Sequence, residues 1–459
     1  MRSSRLRSFY SAFFLVTASF VSSLLLFPSD ANAVPAFARQ TGVECSMCHV
    51  GSFGPQLTPF GRDFKLNGYT LGQVKSRLQE ISAMAFTGFE HTADNVAQTG
   101  STARFRDNNN IEVDQISLFY AGELFPHVGM LGQATYNGVA DQAAWDNTDI
   151  RYANNTLLAG KNFVYGVTVN NNPSVQDLWQ TTPAWKFPFV GSALAPSPQA
   201  GPYMGSLGGT VGGAGVYGMW NDLLYAEITD YASLPDKVQS TVGEHDVSTS
   251  DHLTGLDPYW RLALQHTFGQ QYVSVGTYGM NSTRYPGDVR TLGTDKIMDA
   301  ALDATYQFNS ADGQHNVSLY GSAMHEHQNL SASHAGSNST NPSDNLDFYN
   351  ASASYYYKNT YGVTLSRFAI TGSQDAVLYG TTGNGDSVTN SPNSAGWTVQ
   401  LDATPFGTDK SFGYPNLNAR FFVQYTAYDK FDGGSTNYNG AGTNASNNNT
   451  WFTGVWFSF

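Results

Sequence analysis

Cys45-Ser46-Met47-Cys48-His49 places two thiols three residues apart with an imidazole directly behind the second, and the chain has no other cysteine. That spacing lets both sulfurs reach the vinyl groups of one tetrapyrrole while the imidazole takes its iron from below. C-x-x-C-H is therefore the attachment pattern of a c-type haem. On this reading Cys45 and Cys48 hold one haem c covalently, His49 is the proximal iron ligand, and the chemistry is redox. Rival chemistries fit the cluster less well. A redox dithiol of this spacing belongs in a βαβ context, which nothing around Cys45 supplies. A structural zinc site needs four protein ligands where this cluster offers three.

The remaining parts of a haem site are sparse nearby. Arg39, Arg62 and Lys65 are the only basic residues between Val34 and Gly72. They are the candidate partners of two haem propionates, with solvated surface charge as the alternative. After His49 no Met or His occurs before Met84, so Met84 is the candidate distal ligand, weighed against an ordinary lumen-filling side chain. Met280 and Met324 fall on similar faces but farther from the haem segment.

The elements that must position these groups follow from the rest of the chain. Arg2, Arg5 and Arg7 precede an apolar stretch from about Phe9 to Phe27, and Ala31-Asn32-Ala33 supplies a small-residue cleavage site. Residues 1–33 read as an export signal, consistent with haem attachment outside the cytoplasm. Without Arg2, Arg5, Arg7 and Asp30 the chain keeps 20 Lys+Arg against 35 Asp+Glu, a formal charge of −15. A nucleic-acid partner is excluded by that sign, and cations are tolerated.

Only 13% of residues are charged, while Tyr and Phe number 55 and Gly 46. After the signal no window is apolar for long enough to be a membrane helix. Instead, residues 79–459 divide into sixteen weakly alternating segments of about 9–14 residues. They start near 79, 111, 128, 147, 161, 209, 222, 257, 271, 296, 313, 346, 361, 395, 417 and 450. In 296–308, Asp299, Asp303, Thr305 and Gln307 share one face, and Met298, Leu302, Tyr306 and Phe308 share the other. In 257–268, Arg261, Gln265 and Thr267 oppose Trp260, Leu262 and Leu264.

Long polar connections (92–110, 171–208, 232–256, 282–295, 328–345, 373–394, 431–449) alternate with short turns. The exception is 406–416, a long turn on the short side. Long outside and short at the periplasm is the outer-membrane barrel habit. Trp451–Phe459 ends on an aromatic residue, resembling the closing strand of such barrels. The expected fold is all-β, a 16-stranded antiparallel porin-like barrel over 79–459. A short α/coil c-type haem segment, 34–78, plugs its periplasmic end. Some 45 residues bury too little to fold alone, so the barrel, with its aqueous lumen, must complete the haem pocket.

The run Val34-Pro35-Ala36-Phe37-Ala38-Arg39-Gln40-Thr41-Gly42, then Cys45–His49, Leu57-Thr58-Pro59-Phe60-Gly61-Arg62 and Phe64-Lys65-Leu66-Asn67-Gly68-Tyr69 resembles the fused monohaem cytochrome–porins of bacterial outer membranes, whose best-known members are iron oxidases. The detailed match covers about 40 residues. The barrel matches in strand number, size and terminal aromatic.

The resemblance implies an iron:cytochrome oxidoreductase-like role, with electrons passing from extracellular ferrous iron through the haem to periplasmic cytochrome c. Outward electron delivery to minerals or other acceptors is the reverse alternative, and a porin with a haem-bearing plug is the non-redox one. Outer-membrane lipid is the expected surrounding. His325-Glu326-His327, near the outer end of a strand, could bind iron transiently. Its alternation turns both histidines outward, which favours an ordinary rim cluster.

Overall fold

Alternating side chains that are polar on one face and apolar on the other make a strand that must separate two media. In the computed structural model, which describes residues 36–72, 80–241, 251–383 and 385–459, sixteen such strands do so. The expected signal peptide and the expected boundary at 78/79 lie outside the described residues.

The strands are β1 (Ile81–Thr92), β2 (Ile111–Phe125), β3 (Val128–Asn137), β4 (Gln142–Leu158), β5 (Lys161–Asn170) and β6 (Val211–Trp220). There follow β7 (Leu224–Ser233), β8 (Asp257–Phe268), β9 (Gln271–Tyr285), β10 (Asp295–Asn309) and β11 (His315–Asn329). The last are β12 (Ser343–Tyr357), β13 (Tyr361–Gly372), β14 (Ser394–Ala403), β15 (Asn418–Lys430) and β16 (Thr450–Ser458). Each pairs antiparallel with its neighbour, and β1 pairs with both β2 and β16, so the sheet has no edge. A two-residue strand, His252–Leu253, lies against the outer end of β9.

The faces divide as the alternation requires. On β10, Leu302 is 68% exposed and Met298 51%, while Asp299, Asp303, Thr305 and Gln307 are buried in the lumen. Leu118, Val216, Ile228, Leu262, Val275 and Leu401 continue the exposed apolar belt on other strands. An edgeless sheet with an apolar exterior is one of the two structures a bilayer accepts. Among the described residues, no helix is long and apolar enough to cross a membrane.

Buried ion pairs brace the lumen wall. Arg151 pairs with Asp149 at 2.8 Å, Arg261 lies 3.5 Å from Asp177, and Arg420 lies 3.7 Å from Asp402. Removing one partner of such a pair strands a buried charge and costs about 3–5 kcal/mol.

Two segments fill the space inside. The first comprises helices α1 (Ala36–Thr41), α2 (Cys45–Cys48) and α3 (Pro59–Leu66). Thr58 caps α3 by accepting from the Gly61 N–H, and Pro59 holds the first position, where its missing N–H costs nothing. This plug sits at the short-turn end. Ser52 donates to the Asn359 carbonyl at 2.8 Å, Asn418 donates to the Ser52 carbonyl at 2.7 Å, and Tyr217 donates to the Leu66 carbonyl at 2.8 Å.

The second segment corrects an expectation. Residues 171–208 read as an external loop, yet Ser174, Val175, Trp179 and Thr182 are fully buried. The segment crosses the lumen, holding Arg151 through the Gln176 carbonyl, Tyr272 through the Trp179 indole and Tyr428 through the Pro196 carbonyl.

The long turn between β14 and β15 also has its reason. Its Asp409 N–H donates to the Glu44 carboxylate at 3.1 Å, and Gly407 passes so close to Ser52 that a Cβ would collide with it. The turn is long because it grips the plug.

Candidate functional site

Helix α2 is one turn long, which puts Cys45 and Cys48 on the same side with His49 immediately beyond. Glu44 precedes them and accepts from Ser46 at 2.6 Å. Thr58 donates to the Met47 carbonyl, and the Thr58 N–H donates to the Cys48 carbonyl at 2.9 Å, so α3 is strapped across the C-x-x-C turn. The close approach requires Gly61, whose added Cβ would run into the Cys48 carbonyl oxygen.

Cys45, Cys48 and His49 line one cavity of about 500 Å3. That volume falls within the ~300–1,000 Å3 typical of cofactor and small-molecule sites. Its plug-side wall includes Phe37, Phe64 and Tyr69, whose rings pack on one another at centroid distances of 4.9, 5.4 and 5.9 Å. The barrel contributes Met84, Phe119 and Trp456, and the inward segment contributes Trp185, Lys186 and Phe189. The cavity is thus walled by three parts of the chain that are remote in sequence.

The chemistry of its lining is specific. His49 Nδ1 is buried with no hydrogen-bond partner. Burial and the neighbouring Arg420 guanidinium press the imidazole down to about 4, so it stays neutral and able to ligate. Burial pushes the Cys45 thiol up to about 11 and the Cys48 thiol up to about 12. Reactive dithiols work the other way, through lowered pKa values. Among the described residues, no group of three or more His, Cys, Asp or Glu could hold a metal ion. The lining therefore fits a redox dithiol or a structural zinc poorly. A c-type haem fits it, because Cys45, Cys48 and the neutral imidazole of His49 border one largely apolar space.

The other sequence candidates scatter. Met84 lines the cavity, the single methionine among the described residues that do, as His49 is the single histidine. Lys65 lines it as well, but its ammonium donates to the Val175 and Asp177 carbonyls at 2.6 and 2.8 Å. Arg62 is turned into the wall, donating to Gln307 at 2.9 Å with its guanidinium 3.8 Å above the Tyr272 ring. Arg39 binds the start of β1 through the Ile81 carbonyl at 2.8 Å. Neither arginine is among the cavity residues. Met280 and Met324 belong to a separate apolar cluster with Tyr203 and Met204.

His325 and His327 face outward, bonded to Asp347 and Asn345, while Glu326 between them is buried and accepts from the Tyr203 N–H at 2.6 Å. Sequence reasoning missed Trp185, Lys186 and Phe189. Only the Pro-Ala-Trp-Lys-Phe-Pro-Phe run at 183–189, unusually aromatic for an external loop, signals them.

A closed sixteen-stranded antiparallel barrel with an apolar belt is the porin-like outer-membrane class. No protein-family model matches the chain, and no curated protein matches it in sequence. Among solved structures it is similar to OmpF of Salmonella typhi in complex with daunomycin, at 14% identity and TM-score 0.45, covering 83% of this chain and 97% of that one. The outer membrane channel DcaP of Acinetobacter baumannii matches at 11% identity and TM-score 0.42, again over 83% and 97%. A loop-deletion mutant of OmpT, an outer membrane protein of Vibrio cholerae, matches at 10% identity and TM-score 0.42, over 83% and 99%.

Proposed function

We propose that this porin-like barrel carries one covalent haem c in the lumenal cavity. It would take single electrons from an extracellular donor, ferrous iron above all, and pass them to periplasmic cytochrome c, as in the fused cytochrome–porins it resembles. One observation carries the reading: Cys45, Cys48 and His49 of the C-x-x-C-H motif all line one cavity of about 500 Å3. Bound there, the haem would supply a one-electron couple matched to ferrous iron. Cys45 and Cys48 would hold it, His49 would ligate its iron, and Met84 is the candidate for a second ligand.

The surrounding residues shape that couple. Phe37, Phe64, Tyr69, Phe119, Trp185 and Phe189 line part of the cavity, and an apolar surround of that kind disfavours the form with more net charge. The inward segment and the plug share the lumen, which weighs against a wide solute pore. The test is the reduced-minus-oxidised spectrum of the purified full chain after ferrous iron is added. A reduced haem is expected. A haem that stays oxidised overturns iron oxidation, and reoxidation of the reduced protein by a mineral acceptor alone supports outward flow. Unchanged solute uptake in His49→Ala, with no electron transfer in the wild type, supports the plugged porin.

A further inference from the structure

Lys186 is a cation without a counter-charge. It lines the cavity, and among the described residues its side chain forms no hydrogen bond and no ion pair, although its backbone N–H donates to the Thr182 carbonyl at 3.1 Å. Burial alone disfavours its charge, and no carboxylate relieves it.

The other charged groups of the lining are already engaged. Lys65 is bound to two carbonyls, Glu44 to Ser46 and Asp409, and Asp146 to Thr135 and the Asn147 N–H. Lys186 also borders a small polar pocket beside Tyr320 and Asn350, but it is the one charged residue of the described cavity lining with no protein partner, so a bound anion would gain most beside it. We infer that Lys186 receives an anionic group of the cavity's ligand. This rests on the haem reading above, under which the group is a propionate carboxylate. The assignment moves the propionate contact from Arg39 and Arg62 on the plug to the inward segment. That segment then recognises the cofactor as well as covering it.

The test compares the full chain with Lys186→Gln and Lys186→Arg, all loaded with haem, by equilibrium redox titration. A cation beside the propionate favours the reduced haem. The midpoint potential should therefore fall in Lys186→Gln and return in Lys186→Arg, with haem content unchanged. Equal potentials in all three overturn the inference.

Should Lys186→Gln fail to load or fold, Cys45→Ala/Cys48→Ala with Lys186 intact decides. It should bind protoporphyrin at least tenfold more tightly than the dimethyl ester by fluorescence titration, and equal binding overturns the inference. Absence of covalent haem from the wild-type chain would instead overturn the parent reading, a result distinct from either.

Discussion

The cavity depends on a few atoms that admit no substitution. Gly61 is the clearest: a methyl there meets the Cys48 carbonyl, and overpacking of that kind costs about 1–3 kcal/mol. Gly61→Ala should lower haem content severalfold by haem-stained gel while leaving the barrel folded. Lys65 offers a pH signature. Burial and the nearby Arg151 bring its ammonium down to about 8, against 10.5 in a free chain. Between those values the undocked plug holds more protons than the docked one, so docking tightens as pH rises from about 8 to 10.5, and below about 8 the penalty is constant. Proteolysis within residues 36–72 should slow over that range and show no such trend in Lys65→Met. At Met84, replacement by Leu should lower the haem potential if its sulfur ligates the iron; an unchanged potential would reduce Met84 to a wall residue.

Strands were more legible than the paths between them. The alternation on β10 placed Asp303 inside and Leu302 outside because a bilayer on one face and water on the other sort side chains without help from neighbours. Strand β4 runs over Gln142–Leu158 instead of starting near 147. A bulge opposite Gly132–Ala134 breaks its periodicity, which hides the first five residues. Apart from the aromatic run at 183–189, the inward course of 171–210 was illegible for a different reason. A polar lumen and an outer aqueous face ask for the same Asn, Ser and Thr, so composition cannot choose between them. That segment and the plug are the elements that close the cavity. Excising 184–201 should raise single-channel conductance in planar bilayers; unchanged conductance would show that another element sets the constriction.

For the whole molecule, the membrane belt makes the least ambiguous demand. Leu302, in the middle of β10, is 68% exposed, and Leu302→Arg should cost about 2–4 kcal/mol in lipid-bilayer unfolding experiments. The contacts of the plug carry a further meaning. Ser52 and Phe53 are held by Asn418 and Arg420, some 366 residues away along the chain, and β1 is closed by β16. The plug's seat is therefore finished only when the final strands arrive, and long-range closure of this kind is slow. Until then Cys45 and Cys48 travel on a short open segment with no enclosing wall. The interval before the two ends of the chain meet is when these thiols are easiest to reach.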